Sequence, residues 1–286
     1  MNIKKLATTC LMLCVAASAL AQDDRFASVT IETVPVTGNI SMLIGSGGNI
    51  GVSTGSDGLL IIDDQYGPLA PKIRAALSQL SSDAPKFLLN THFHGDHTGG
   101  NADFGAASII IAHENVRGRL MAGGSPGSAL PVITFDEDVT VHFNGESITL
   151  IHMPRGHTDT DSVVMFEESN VIHMGDHFFN GGFPFVDLAS GGTVQGYISN
   201  LEKALSWIDD DTSVIPGHGP LGTKADLLAF YNVVKDTSTT IRVMKSQQMS
   251  AEEAVAEGLG DEYESWGQGF INEQRWIETV FASYPR

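Results

Sequence analysis

A short segment that is dense in metal-binding side chains places the strongest constraint on how this chain can fold. Positions 92–97 contain three imidazoles and one carboxylate, in the order His92, Phe93, His94, Gly95, Asp96, His97. The apolar run 87–89 precedes them and predicts a buried strand that ends in a turn. Structural zinc sites are closed by four ligands in tetrahedral geometry, so one short turn cannot complete such a site. The fold must therefore bring distant ligands to this turn.

Three further candidate ligands follow later apolar runs, and each has a glycine beside it: His157, Asp176 and His218. Glycine lets the backbone turn tightly, as a loop around a metal ion requires. The two cysteines, Cys10 and Cys14, lie near the start of the chain, inside a segment with the features of a secretory signal. A site in the rest of the chain therefore consists of imidazoles and carboxylates.

The apolar periodicity predicts a chain that starts with strands and continues with strands alternating with helices. Strands are predicted over 29–36, 40–44, 51–54, 59–63, 87–89, 108–112, 132–135, 139–143, 147–152, 162–166, 171–174 and 213–216. Helices are predicted over 68–80, 114–121, 194–208, 224–245 and 272–283, and one more begins at the capping box of Ser250 and Glu253. This mixture indicates an α/β fold (α+β in some schemes) with two mixed β-sheets face to face and helices on the outside.

Residues 1–21 have the three parts of a cleavable signal peptide. Lys4 and Lys5 are followed by the mostly apolar run 6–17 and by the small residues Ala19 and Ala21 around a cleavage site. The apolar run is shorter than the roughly 20 residues that a membrane-spanning helix needs. We expect one hydrolase-like domain over 22–286, a periplasmic or secreted location, and no membrane anchoring after signal cleavage.

The charge of the chain limits its partners. The sequence contains 34 Asp and Glu against 16 Lys and Arg, for a net charge of −18. Nucleic acid and anionic lipid surfaces both require basic patches, so neither is an expected partner. A small-molecule substrate is expected instead, and the sequence carries no indication of the oligomeric state.

Taken in order, these motifs resemble the metallo-β-lactamase superfamily and its αββα sandwich. The resemblance rests on the 92–97 segment, then Gly156-His157-Thr158, then Gly175-Asp176, then Pro216-Gly217-His218-Gly219. It implies two zinc ions per chain. The first would be held by His92, His94 and His157, the second by Asp96, His97 and His218, and Asp176 would bridge both.

The same resemblance implies a hydrolytic mechanism. A hydroxide bound by the two zinc ions would attack a carbonyl carbon, because two cations lower the pKa of water. Asp96 would orient the attacking water or relay its proton. The expected substrate is a small ester or lactone, or an amide of the β-lactam kind.

Three departures, two from dedicated β-lactamases and one from the wider family, shape this expectation. Those enzymes usually carry Cys or Ser where this chain has Asp176, whereas a bridging Asp resembles glyoxalase II and lactonases. The predicted cleft wall 178–192 contains no Lys or Arg to hold a substrate carboxylate, although Arg155 is a possible substitute. Asp159-Thr160 also replaces the Pro-Gly that often follows the His157 motif in the family.

Several alternatives remain open at this stage. The chain could be an iron oxidoreductase on the same fold, although flavodiiron proteins usually have Glu in place of His94. It could also be a non-catalytic accessory protein of an exported quinoprotein or sulfur pathway.

Asp63 is either a support for the metal loop or a plain turn acid, and the segment 45–49 is either a flap or a hairpin turn. Four aromatic residues are candidates for a cleft lip, some of which could be core residues: Phe178, Phe179, Phe183 and Phe185.

Overall fold

The computed structural model describes residues 25–284, and the first β-sheet follows chain order. Its seven strands within that range are β1 (Glu32–Thr37), β2 (Ile40–Ile44), β3 (Ile50–Gly55), β4 (Gly58–Ile62), β5 (Pro85–Leu89), β6 (Ile109–His113) and β7 (Ile133–Phe135). Strands β1 to β4 pair antiparallel, and β4 to β7 pair parallel. The carboxyl ends of β4 and β5 therefore lie at the same edge, where parallel sheets commonly place their ligand sites.

The second sheet comes from later in the described chain. Its six strands there are β8 (Asp138–Phe143), β9 (Glu146–His152), β10 (Ser162–Phe166), β11 (Val171–His173), β12 (Ser213–Ile215) and β13 (Gly222–Thr223). Neighbouring strands pair antiparallel except for β11 and β12, which are parallel. The carboxyl ends of β11 and β12 thus also meet at one edge.

The helices lie between and after the strands. The α-helices of the described range are α1 (Ala70–Leu77), α2 (Gly95–Thr98), α3 (Asn101–Phe104), α4 (Glu114–Ala122), α5 (Val194–Trp207), α6 (Lys224–Ser246), α7 (Ala251–Glu257) and α8 (Glu273–Ser283). Short 3-10 helices also occur, among them Gly67–Leu69, Gly175–His177 and Asp261–Gln268. Among the described residues, no helix combines the length and apolar character needed to cross a membrane.

Strand β4 shows how the layers form, because all five of its residues are buried. Leu60 belongs to the apolar cluster between the two sheets, together with Ile148 of β9. Its neighbour Leu59 points the other way and packs with Ile73 of α1. A strand covered on both faces has no polar side, which accounts for the unbroken apolar sequence of β4.

The outer face of the second sheet is covered by the later helices. Ile172 of β11 lies in one apolar cluster with Tyr197 of α5, Phe230 of α6 and Trp276 of α8. The order of layers is helix, sheet, sheet, helix, so the predicted αββα sandwich of two mixed sheets is confirmed.

Most predicted elements are present, with shifts at their ends. Strands β2 and β10 have the predicted bounds. The helix predicted over 68–80 is a 3-10 turn, Gly67–Leu69, followed by α1, which ends at Leu77. The first strand starts at Glu32 instead of residue 29, because residues 29–31, which follow a helical turn at 25–28, have no regular structure. The predicted signal segment 1–21 lies outside the described residues.

Candidate metal centre

The ligand-rich turn follows β5 and contains the short helix α2. The hydroxyl of Thr98 donates hydrogen bonds to the carbonyls of Phe93 and His94. The amides of His97 and Thr98 also donate to the carbonyl of His94, both at 3.0 Å. These bonds close the turn through its backbone, so the imidazole and carboxylate groups remain available for other contacts.

The seven residues considered as ligands lie together in two adjoining groups. In each group, one potential ligand atom from every member lies within 4.8 Å of the others. The first group consists of His92, His94, His157 and Asp176. The second group consists of Asp96, His97 and His218.

Asp176 lies between the two groups, directly after β11. Its Oδ2 lies 3.4 Å from Nε2 of His157 and 3.8 Å from Nε2 of His92. Its Oδ1 lies 3.0 Å from Nε2 of His97 and 3.3 Å from Nε2 of His218. One carboxylate oxygen therefore faces each group, as expected of a ligand shared by two cations.

The cluster has a buried floor and an open mouth. The floor residues are at most 5% exposed and are His92, His97, His157 and Asp176. The mouth is formed by His94, Asp96 and His218, which are 19%, 24% and 30% exposed. These last three residues expose the cluster to a small molecule in the cleft.

Three atoms of the floor are buried without a well-aligned hydrogen bond among the described residues: Nε2 of His92, Nε2 of His97 and Oδ1 of Asp176, although the last two lie 3.0 Å apart. Leaving a buried polar atom unpaired costs roughly 1–3 kcal/mol. Imidazole nitrogen and carboxylate oxygen are ligands of zinc and of other transition metals. The donor set therefore fits metal ions, whose coordination would satisfy these atoms.

Burial and charge set the protonation of the first group. Burial lowers the pKa of His157 to about 4. Burial, and then the charge of His97, lowers the pKa of His92 well below its ordinary value. Burial raises the pKa of Asp176, but His218 and His97 outweigh burial and hold it well below its ordinary value. An ionised Asp176 beside neutral imidazoles of His92 and His157 is the state in which these residues bind a metal.

Asp63 supports the ligand-rich turn, which was one of its two predicted roles. It follows β4 with a φ of 62°, a conformation that Asp adopts more readily than most residues. Its Oδ2 lies 2.7 Å from Nδ1 of His97 and accepts a hydrogen bond from the hydroxyl of Thr91. The contact orients Nε2 of His97 toward Asp176.

The protonation of His97 is dominated by the surrounding carboxylates. Burial lowers the pKa of His97, but Asp176, Asp96 and Asp63 outweigh burial and raise it well above its ordinary value. A metal ion at Nε2 would displace a proton from this ring, because a ligating imidazole is neutral.

A further carboxylate, Asp187, contacts His94 and was missed by the sequence prediction. Nδ1 of His94 lies 2.8 Å from Nε2 of His157, inside the first group. The opposite nitrogen, Nε2, lies 3.1 Å from Oδ2 of Asp187. The available signal was an acid that interrupts the mostly apolar segment 183–189.

The loop 45–49 packs on the ligand-bearing turns as the hairpin connection between β2 and β3. The amide of Gly48 donates to the carbonyl of Asp96 at 3.0 Å, and that of Asn49 donates to the carbonyl of Gly217 at 2.7 Å. A Cβ on Gly48 would lie 2.1 Å from Cε1 of His97. The loop 45–49 can therefore pack against the ring of His97 only because residue 48 is glycine.

Two other histidines lie close to Asp176 in sequence but contact different partners. His177 stacks on Tyr197 with 5.2 Å between ring centroids, and its Nε2 lies 3.0 Å from Nδ2 of Asn200. Burial lowers the pKa of His177 to about 3. His173 has its Nε2 3.1 Å from the carbonyl of Asn49. Both histidines hold loops together and do not face the cluster.

An open cleft of about 580 Å³ lies above the exposed ligands. Its aromatic walls consist of Tyr66, Phe179, Phe183, Phe185 and Phe270. Phe178, a candidate for the cleft lip, is instead a fully buried core residue. None of the described residues that line the cleft is Lys or Arg, and Arg155 is exposed elsewhere on the surface.

The fold and the His/Asp cluster agree with a comparison to known protein families. The family model of the metallo-beta-lactamase superfamily matches residues 37–218, which is more than half of the chain. The chain belongs to this superfamily.

Similar proteins are known at the level of sequence and of fold. A hydroxyacylglutathione hydrolase of Polaromonas sp. is 34% identical over 46% of this chain and 47% of its own length. An atrochrysone carboxyl ACP thioesterase of Aspergillus terreus is 27% identical over 48% of this chain and 40% of its own. A metallo-beta-lactamase from Pontibacter korlensis has a similar fold, with a TM-score of 0.63 and 16% identity over 72% of this chain and 99% of its own. The chain thus spans about half the length, or less, of these two curated relatives.

Proposed function

We propose that this protein is an exported, zinc-dependent hydrolase that cleaves a small ester, lactone or thioester, or an amide of the β-lactam kind. The observation that carries the proposal is the position of Asp176 between two His/Asp groups at the floor of a cleft. One zinc ion would be held by His92, His94 and His157, and the other by Asp96, His97 and His218. Asp176 would contact both ions.

The chemistry divides between the metal ions and the side chains at the mouth of the cluster. Bound zinc lowers the pKa of water and polarises a carbonyl oxygen, which are the two requirements for hydrolysis near neutral pH. Asp96 is 24% exposed, against 5% for Asp176, so it is the cluster carboxylate that reaches furthest into the cleft. Its free oxygen would orient the attacking water or accept its proton.

The cleft favours a neutral substrate. No Lys or Arg occurs among its described lining residues, and five of them are aromatic. No Lys or Arg of this lining would bind a substrate carboxylate, and the Arg275 guanidinium, 5.8 Å from the Phe185 ring, is outside the lining. The similarity to a hydroxyacylglutathione hydrolase and to an ACP thioesterase supports including thioesters in the substrate class.

The proposal of export rests on the sequence of residues 1–21. The basic pair Lys4 and Lys5, the apolar run 6–17 and the small residues Ala19 and Ala21 are its support. Antibiotics of the β-lactam kind are met outside the cytoplasm, which is compatible with such a location.

A hydrolysis panel tests the proposal directly. Protein of measured zinc content is assayed with lactones, aryl esters, thioesters, β-lactams and phosphodiesters. We expect turnover of at least one carbonyl substrate and none of phosphodiesters. Removal of ligands should abolish this turnover, so His94→Ala and Asp96→Ala are expected to lower kcat by at least about a thousandfold.

The controls separate loss of chemistry from loss of fold. Circular dichroism and zinc content are measured for both variants, and His142→Ala, a change in β8 outside the cluster, serves as the matched histidine control. Full activity in His94→Ala and Asp96→Ala would remove this cluster from the mechanism. Stoichiometric iron with no hydrolysis would favour the oxidoreductase alternative.

A further inference from the structure

Phe270 presents an aromatic ring to solvent at the mouth of the cleft. Its side chain is 78% exposed, the highest value among the large hydrophobic residues of the described chain. The residue also lines the cleft. A phenyl side chain can bury 150–250 Å² of surface, so this exposure leaves a large apolar area in water.

The backbone around Phe270 is anchored on both sides. Before it, the carbonyl of Trp266 accepts a hydrogen bond of 2.9 Å from the amide of Phe183 in the cleft wall. After it, Ile271 is 1% exposed, and Asn272 caps α8 by accepting a bond from the amide of Arg275. The ring is therefore exposed although the backbone on both sides of it is fixed by hydrogen bonds and burial.

A second aromatic ring connects Phe270 to the metal cluster. The ring of Phe185 lies 5.9 Å from that of His94 and 6.1 Å from that of Phe270, measured between centroids. The guanidinium of Arg275 lies 5.8 Å from the Phe185 ring and 5.9 Å from the Phe270 ring. Phe185 and Phe270 thus form one apolar surface, backed by Arg275, that leads outward from an exposed ligand.

This surface lies partly outside the segment shared with the family. The family match ends at residue 218, whereas Phe270 belongs to the later segment that includes Asp261–Gln268 and α8. Phe185 therefore lies inside the segment that the family model matches, and Phe270 lies outside it.

We infer that Phe185 and Phe270 form a subsite for the acyl portion of the substrate, and that this portion is a neutral apolar group of several carbon atoms. The inference rests on the proposed hydrolase function. A carbonyl placed beside His94 would direct its acyl chain along the Phe185 ring and under the Phe270 ring. Each methylene buried there strengthens binding by about fourfold.

A chain-length series tests the subsite. The probes are p-nitrophenyl acetate, butanoate, hexanoate and octanoate, assayed with zinc-loaded protein. In the wild type, kcat/KM is expected to rise by about fourfold per methylene until the surface is covered. In Phe270→Ala, kcat/KM for octanoate is expected to fall about tenfold more than kcat/KM for acetate. Phe270→Leu should recover part of the preference for long acyl chains.

A control and a binding measurement make the outcome decisive. Met121→Ala removes another exposed apolar side chain, 56% exposed on α4, and should leave the series unchanged. Binding of 2-pentanone and 2-decanone, which have a carbonyl but no bond to hydrolyse, is measured by calorimetry. Tighter binding of the longer ketone, lost in Phe270→Ala, supports the subsite even if the esters are not turned over.

Two results would overturn the inference. The first is an equal loss at every chain length in Phe270→Ala, as a purely structural residue would give. The second is ketone binding that does not depend on chain length in the wild type. Failure of all ester turnover together with chain-length-dependent ketone binding would instead contradict the proposed function alone.

Discussion

The nitrogen that a histidine turns toward a metal site is set by the partner of its other nitrogen. His97 has Nδ1 on Asp63, which leaves Nε2 facing Asp176. His94 is reversed, because Asp187 contacts its Nε2 and its Nδ1 faces His157. The two carboxylates thus give neighbouring histidines of one turn opposite orientations.

Removal of Asp187 tests this orienting role. Asp187→Ala frees the His94 ring to rotate, and loss of such an outer contact typically weakens metal binding by about 10–100-fold. We expect a loss in this range, measured by competition with a chromophoric zinc chelator. The zinc affinity of Asp187→Asn, whose side chain can still hydrogen bond, should lie between those of the wild type and Asp187→Ala.

The matched control for this experiment is Asp210→Ala, because Asp210 is 99% exposed and its ion pair is with Lys224, outside the cluster. Identical zinc affinities for Asp187→Ala and Asp210→Ala would show that Asp187 does not orient His94.

At the level of elements, helix α6 depends on a sharply defined start. The hydroxyl of Thr223 accepts a hydrogen bond from the amide of Asp226, and the Asp226 carboxylate accepts one from the amide of Thr223. Leu227, Phe230 and Val234 then pack against the second sheet, which carries Asp176 and His218 at its edge. The capping box therefore sets where this covering layer begins.

Thr223→Ala is expected to lower the free energy of unfolding by about 1 kcal/mol, the usual effect of losing a side-chain cap. Urea unfolding followed by circular dichroism measures it. Thr240→Ala makes the same replacement at an exposed position within α6 and should not destabilise the protein, since Ala favours helix. Equal stability of the two variants would contradict the capping role.

At the level of the whole molecule, the metal cluster joins the two sheets. The turn after β5 supplies His92, His94, Asp96 and His97 from the first sheet. Loops at the edge of the second sheet supply His157, Asp176 and His218. Metal ions bound here would link both halves of the sandwich, so their binding free energy would add to the stability of the fold.

Metal removal should therefore lower stability. With free zinc at about a thousandfold above its dissociation constant, linkage predicts a gain of roughly 4 kcal/mol per ion that is lost on chelation. Calorimetric melting of the zinc-loaded and chelator-treated protein measures the difference. The shift should be about half as large in His94→Ala, which removes a ligand of one of the two proposed ions. Equal melting temperatures for both forms of the wild type would show that the cluster does not hold metal.

The sequence alone determined the composition of the site and the class of fold. Imidazoles, carboxylates and adjacent glycines are visible as residue types, and the apolar periodicity reports which faces are buried, because both are local properties of the chain. The layered arrangement and most strands followed from these patterns. Helices α2 and α3 and strand β13 were missed, since each is too short to show a period.

Only the tertiary structure decided how the residues meet. Asp176 faces both groups, Asp187 contacts His94, and Phe270 lines the cleft. Each of these contacts depends on the distance between segments that are far apart in the chain. No local pattern encodes such distances, because they result from how two sheets and their loops pack together. The residue types thus determine the chemistry of the site, and the packing of the whole molecule determines its geometry.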